Sequence, residues 1–163
     1  MTNTLTNEIS VTRVFDAPVS EVWKYWTEPD KIMKWWGPRG FTSPLAKMDV
    51  REGSMSFVCM RPPPECGGPD MCNTWSYKKI VPEQEIEFVM TFSDMNGRKL
   101  DPATLGLPVD MPDEIHHVIT FRAVGRKTEV TVKECGYATE QVFELSRVGP
   151  RKSVDKLRER CEF

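Results

Sequence analysis

The chain has 163 residues, of which 39 % are hydrophobic and 28 % are charged, and its formal net charge is −2. This length and composition are typical of one globular domain with its own core. The small net charge gives no electrostatic reason to expect binding to nucleic acid or to an anionic membrane.

Further features of the composition indicate where the protein works. No apolar run approaches the roughly 20 residues that a transmembrane helix needs. The first ten residues lack the basic and apolar regions of a signal peptide. Five cysteines, an odd number at irregular spacing, favour reduced thiols over a disulfide framework. We therefore predict a cytoplasmic protein without a membrane span.

The first part of the chain predicts one strand and two short helices. We expect residues 1–7 to be a flexible N-terminus and residues 8–163 to form a single domain. Apolar and polar residues alternate over residues 8–15, which indicates a strand. Two short helices should follow, over residues 19–27 and 29–36, and a Gly-Pro pair ends the second.

The middle of the chain predicts a series of antiparallel strands joined by turns and loops. The predicted strands are residues 41–50, 54–61, 73–81, 85–92, 115–124 and 128–134. Pro44 lacks an amide hydrogen, so its strand should lie at a sheet edge or contain a bulge. Residues 125–127 predict a tight hairpin connection. The insert at residues 93–113, which contains three prolines, predicts a long loop.

The last segment, residues 139–163, predicts the only long helix. Its apolar residues recur at helical spacing, and a helix of this length would span about 35 Å. Pro150 follows Gly149 near the middle, so we expect a kink or break there. One helix set against an antiparallel sheet of about six strands is an α+β fold.

Nine segments in chain order carry a resemblance to a known family. They are VTR at 11–13, DAP at 16–18, VW at 22–23, WWGP at 35–38, DVREG at 49–53, YKKIVPE at 77–83, VITF at 118–121, TEVTV at 128–132 and SVDKL at 153–157. Together they cover essentially residues 8–160 and resemble the domains similar to the activator of the 90-kDa heat-shock protein ATPase. That group belongs to the START/Bet v 1-like (SRPBCC) superfamily.

The resemblance implies a helix-grip fold. In that fold a curved antiparallel sheet of six to seven strands wraps a long C-terminal helix, and two short helices follow the first strand. It also implies an internal cavity between the sheet and the helix that often takes an apolar ligand. The matching segments look like turns, caps and core positions and not like a catalytic set, so the resemblance implies no particular reaction.

A buried histidine is the most informative polar candidate. The alternation of its strand turns His117 inward with Ile119 and Phe121. We favour a neutral histidine with a hydrogen-bond partner; the alternatives are a polar anchor for a ligand and a general base. The sequence reveals no nucleophile or orienting carboxylate beside it, so we assign no catalytic residue.

A metal site is not predicted. Cys66 and Cys72 are spaced too widely for the usual zinc pair. His116 and His117 are adjacent in a strand, so their side chains point to opposite faces of the sheet. We predict neither a metal nor another cofactor.

The leading hypothesis is a domain that binds a small hydrophobic or amphipathic molecule, with no enzymatic activity. The residues expected to line the cavity are His117, Trp75, Tyr77, Phe57, Phe88, Phe92, Phe121, Phe143 and Trp36. Two alternatives are a module that interacts with a 90-kDa chaperone, and an enzyme of the cyclase or hydrolase type. The enzyme would need a second titratable group within hydrogen-bond reach of His117. A monomer and a homodimer both remain open.

Overall fold

One antiparallel sheet organises the computed structural model, which describes residues 7–37, 40–105, 112–137 and 155–159. Seven strands within these ranges lie in the order β1-β7-β6-β5-β4-β3-β2. They are β1 (Asn7–Phe15), β2 (Thr42–Lys47), β3 (Met55–Arg61), β4 (Met71–Val81), β5 (Glu85–Ser93), β6 (Glu114–Val124) and β7 (Lys127–Tyr137). Helices α1 (Val19–Thr27) and α2 (Pro29–Ile32) connect β1 to β2, and a 3₁₀ turn (Pro102–Leu105) lies between β5 and β6.

The strands form where the sequence alternates. Along β5 the even-numbered residues from Ile86 to Phe92 are buried and the odd-numbered residues between them are partly exposed. The two-residue turn at Gly125 and Arg126 joins β6 to β7, with Gly125 at a φ of 63°. Pro44 lies in edge strand β2, at a break in the register between Thr42 and Leu45. The predicted strands and the consequence drawn from Pro44 are confirmed.

The second helix is shorter than predicted. It was expected over residues 29–36 but ends at Ile32. Beyond it, the amide hydrogens of Lys34 and Trp35 bond to carbonyls three residues back, so the chain tightens into turns. The Trp35 indole N–H donates to the carbonyl of Tyr25 at 2.8 Å, which fixes these turns against α1.

The core lies on the inner, concave face of the sheet, where α1 and α2 cover part of it. From α1, Trp23 and Trp26 meet the ring of Phe121 at 5.1 and 6.4 Å between centroids. Fully buried Val22 and Ile32 add the apolar sides of the two helices. None of the helices within the described ranges is long and apolar enough to cross a membrane.

A helical turn at residues 155–159 contacts both edges of the sheet. Asp155 accepts a hydrogen bond from Arg13 Nε of edge strand β1 at 2.8 Å. The next residue, Lys156, donates to the carbonyl of Phe41, immediately before edge strand β2, at 2.7 Å. A flat sheet of seven strands would be about 29 Å wide. Because the consecutive residues Asp155 and Lys156 reach opposite edges, the sheet must be strongly curled.

The long C-terminal helix remains a prediction over most of its length. Within residues 139–163, the helical part that the structure describes is 155–159, where Leu157 is fully buried. The Gly149–Pro150 break and most of the predicted apolar stripe lie outside the described residues.

One expectation about the cysteines is wrong. Cys59 and Cys72 form a disulfide between β3 and β4, with their Cα atoms 4.0 Å apart. The two residues are direct cross-strand partners. Spacing along the chain does not reveal this pair, because the two strands bring residues 13 positions apart into register. Cys66 and Cys135 remain free thiols.

Candidate functional site

A column of stacked rings lies on the inner face of the sheet. The ring of Phe88 stacks on Trp75 at 4.5 Å and on His117 at 4.7 Å between centroids. Tyr77 meets Phe88 edge to face at 6.0 Å. The register explains the cluster, because Tyr77, Phe88 and His117 are successive partners across β4, β5 and β6. All four side chains are buried, so the structure brings together four of the residues predicted to line the interior.

The remaining predicted site residues divide into three groups. Phe92 and Phe121 are buried on the same face, and Trp36 reaches the column through an edge contact with Trp75 at 4.9 Å. Phe57 lies on the opposite, outer face, beside Thr74 of β4, so its placement in the cavity is wrong. Both faces of β3 carry apolar side chains, which made the phase of this strand ambiguous. Phe143 lies outside the described residues.

His117 is paired with a carboxylate that the sequence analysis missed. Its Nε2 lies 3.2 Å from Oε2 of Glu134, its cross-strand partner on β7. The two side chains are 4 % and 11 % exposed. The second ring nitrogen, Nδ1, faces the carbonyl of Ile115 at 3.2 Å. Both nitrogens therefore face acceptors, which suits either an imidazolium beside a carboxylate or a neutral ring beside a protonated Glu134.

The pair supplies the second titratable group that the enzyme hypothesis required. The signal was present in the sequence. Counting outward from the turn at Gly125 and Arg126 pairs Val124 with Lys127 and, seven residues farther along each strand, His117 with Glu134. The sequence alone identified no carboxylate beside His117, and the structure places Glu134 there.

Beside the ring column are buried polar atoms that have no hydrogen-bond partner within the described part of the chain. Both side-chain polar atoms of Asn73 are unpaired, as are the indole N–H groups of Trp75 and Trp36. Asn73 is 0 % exposed and lies on the inner face of β4, two residues from Trp75. Leaving a buried polar group unpaired costs roughly 1–3 kcal/mol. Such groups in a native protein are commonly served by water or a ligand.

Two buried hydroxyl groups form a hydrogen bond beside the ring column. The hydroxyl groups of Ser56 and Tyr77 are 2.7 Å apart, and Ser56 Oγ also accepts a bond from the amide of Asp49 at 3.0 Å. Burial raises the pKa of the Tyr77 phenol, and the charge of Asp49 acts in the same direction. The hydrogen bond to Ser56 opposes this rise in pKa only in part.

The raised pKa of Tyr77 predicts a loss of stability in alkali. Below the unfolded-state pKa of about 10 both states keep the proton, and the stability contribution is constant. Above it the unfolded state releases the proton first, so the free energy of unfolding falls by up to about 1.4 kcal/mol per pH unit. We expect Tyr77→Phe to be about 1 kcal/mol less stable than the wild type at pH 8, with the difference shrinking and reversing towards pH 11.

Urea unfolding from pH 8 to pH 11 measures this crossover. Ser56→Ala is the matched control, because it removes the same hydrogen bond but keeps the phenol and should keep the alkaline loss. A difference between Tyr77→Phe and the wild type that stays constant over the whole range would contradict the assignment.

Comparisons with known proteins find one matching family and several structures of similar fold. A family model described as "Activator of Hsp90 ATPase homolog 1-like protein" matches residues 16–162. A crystal structure of a Chromobacterium violaceum protein superposes with a TM-score of 0.76 at 22 % identity, covering 96 % of this chain and 98 % of that chain. The AHSA1 protein of Silicibacter pomeroyi gives a TM-score of 0.73 at 16 % identity, covering 94 % and 96 %. The search of curated proteins found no match.

Proposed function

The chain belongs to the family of activator of Hsp90 ATPase homolog 1-like proteins, and on that basis we propose that it binds a small amphipathic molecule. The proposed site lies between the inner face of the sheet and the C-terminal helix predicted from the sequence. The observation that carries the proposal is the buried, unpartnered amide of Asn73 beside the ring column.

The polar atoms indicate which ligand chemistry fits. Trp75 and Trp36 each offer an indole N–H, and the amide of Asn73 offers both a donor and an acceptor. A ligand oxygen that accepts hydrogen bonds, with a hydroxyl group nearby, would pair with these atoms. Because the pairing recovers the cost of their burial, it favours an oxygen-bearing ligand over a pure hydrocarbon.

The ring column supplies the apolar part of the site. Trp75 and Phe88 are stacked with an interplanar angle of 10°, and Phe88 and His117 are stacked at the same angle. Burial of ligand carbon surface contributes about 25 cal/mol per Å², so a ligand that buries about 200 Å² there would gain on the order of 5 kcal/mol before its ordering costs.

Native mass spectrometry of the protein purified from its own cells tests the proposal directly. We expect a co-purifying small molecule that bears oxygen. The same molecule should displace an apolar fluorescent probe from the wild type. Protein that carries no such molecule and takes up no probe would contradict ligand binding.

The variant Asn73→Leu tests whether the amide is an anchor. It replaces both unpaired atoms with methyl groups and keeps the branching and the number of side-chain heavy atoms, so we expect unchanged stability or a gain of about 1–2 kcal/mol. Affinity for the co-purified molecule should fall at least tenfold. Thr74→Val, the neighbouring substitution on the outer face, is the control and should leave the affinity unchanged. A large loss of stability in Asn73→Leu would indicate that the amide is already satisfied within the protein.

A second candidate function is proton transfer to the bound molecule. The distance of 3.2 Å between His117 and Glu134, both buried, supports it, because such a pair can hold or release a proton beside a ligand. In that case Glu134→Gln should slow conversion of the co-purified molecule about 10²-fold or more while leaving its binding intact. Recovery of the molecule unchanged after long incubation with the wild type would rule this candidate out.

A third candidate rests on the family description alone. The family is described by its likeness to an activator of the Hsp90 ATPase, which makes a 90-kDa chaperone a candidate partner. Pull-down of that chaperone, together with stimulation of its ATPase by the purified chain, would place this activity ahead of ligand binding.

A further inference from the structure

Three sulfur atoms meet on the outer face of the sheet, away from the proposed ligand site. Cys59 and Cys72 are joined across β3 and β4 and are 0 % and 1 % exposed. Met95, from the loop after β5, places its Sδ 3.3 Å from Sγ of Cys72. Because a disulfide sulfur carries no proton, this is a contact of sulfur with sulfur and not a hydrogen bond.

The loop that carries Met95 is held in place by hydrogen bonds within the loop. The Asp94 carboxylate accepts the amide hydrogens of Asn96 at 2.8 Å and Arg98 at 2.9 Å. Gly97 adopts a φ of 80°, which allows the tight turn. These bonds fix the backbone on both sides of Met95. Met95 as a residue is 58 % exposed, whereas both cysteines are buried, so the cluster lies beneath a methionine that borders solvent.

We propose that, when the disulfide is reduced, Cys59, Cys72 and Met95 bind one Cu(I) ion. Two thiolates and a thioether are soft donors, which favour Cu(I), zinc or iron–sulfur clusters over harder metals. Zinc usually requires four N, S or O ligands, and the described part of the chain contains no group of three or more His, Cys, Asp or Glu that could hold a metal. The three sulfur donors are thus one ligand too few for zinc and sufficient for three-coordinate Cu(I).

The chemistry balances with a small dithiol as the reductant. Two electrons from the dithiol convert the protein disulfide to two thiols, and the dithiol becomes a disulfide. Cu(I) then replaces the two thiol protons, which are released to solvent, and the thioether binds through a lone pair. The copper centre carries a net charge of −1. Lys47 lies on the same outer face, where a groove of about 460 Å³ also includes Met55, Phe57 and Met95, and its charge has the sign that offsets the centre.

Anaerobic titration of the reduced, full-length chain with Cu(I), in competition with bathocuproine disulfonate, tests the site. We expect one Cu(I) per chain for the reduced wild type and none for the oxidised protein. Met95→Leu should raise the dissociation constant at least tenfold. Met55→Leu, which alters a thioether in the same groove, should leave it unchanged. Cys66→Ser should also bind one ion, because Cys66 is not part of the cluster.

Met95 is exposed, so its leucine variant keeps the fold even if a substitution of buried Cys59 does not. Failure of the reduced wild type to withdraw copper from the chelator would overturn the proposal. So would equal affinity in Met95→Leu and the wild type, or loss of copper in Cys66→Ser. None of these results depends on whether a ligand binds the inner face.

Discussion

Phe88→Ala is expected to lower the free energy of unfolding by about 3–5 kcal/mol. Phe88 is 0 % exposed, and both faces of its ring are covered, by Trp75 at 4.5 Å and by His117 at 4.7 Å. Removal of the ring leaves a void between two rings that are fixed to neighbouring strands and cannot collapse together. An empty cavity directly beside the ring, of the kind that the family resemblance implies, would give a smaller loss.

Denaturant unfolding of Phe88→Ala and of Phe57→Ala measures this difference. Phe57 is the matched control, since it is also a phenylalanine in a strand with a neighbour on each side but lies partly exposed on the outer face. We expect its loss to be no more than about half as large. Equal losses in the two variants would show that the ring column is not closely packed.

Glu134→Ala is expected to destabilise the protein by about 3–5 kcal/mol near neutral pH. Removing Glu134 leaves the buried Nε2 of His117 without its partner, whichever of the two groups holds the proton. A double-mutant cycle with His117→Ala separates the pair from the packing of each residue. We expect a coupling energy of about 2 kcal/mol.

The neighbouring pair of His116 and Glu87 is the control for this cycle. Its Nε2–Oε2 distance is 2.8 Å, shorter than that of the buried pair, but its side chains are 43 % and 28 % exposed. Solvent screens such a pair, so its coupling should stay below about 1 kcal/mol. A coupling at His117 no larger than at His116 would mean that burial does not strengthen the interaction.

Alternation and turn residues were sufficient to predict the order of elements. The strands follow from side chains that change face at every residue, and Pro44 identified the edge strand. The outer face of β3 was misassigned because Phe57 and Cys59 are apolar there, while Ser56 on the inner face is polar yet fully buried through its bond with Tyr77. Periodicity fails where a polar side chain is satisfied in the core.

Cross-strand partners were the main omission of the sequence analysis. Glu134 could have been paired with His117 by counting from the hairpin only if its connection had been assigned two residues, 125 and 126, and not the three predicted, 125–127. The disulfide could not be found so simply, because the proline-rich segment between β3 and β4 does not fix a register by its length. The unpaired atoms of Asn73 depend on the placement of every neighbour, and no pattern in the sequence indicates them.

The helical turn at residues 155–159 has a consequence for the order of folding. Its contacts join residues 142 positions apart, Arg13 with Asp155, and 115 positions apart, Phe41 with Lys156. Closing a loop of that length in an unfolded chain costs about 4 kcal/mol in entropy. The hairpins of the sheet close much shorter loops, and once they form the two edges are already near each other. Formation of the curled sheet therefore already accounts for most of the entropy cost of loop closure. We expect the two edges to join late, after most of the chain entropy has been lost.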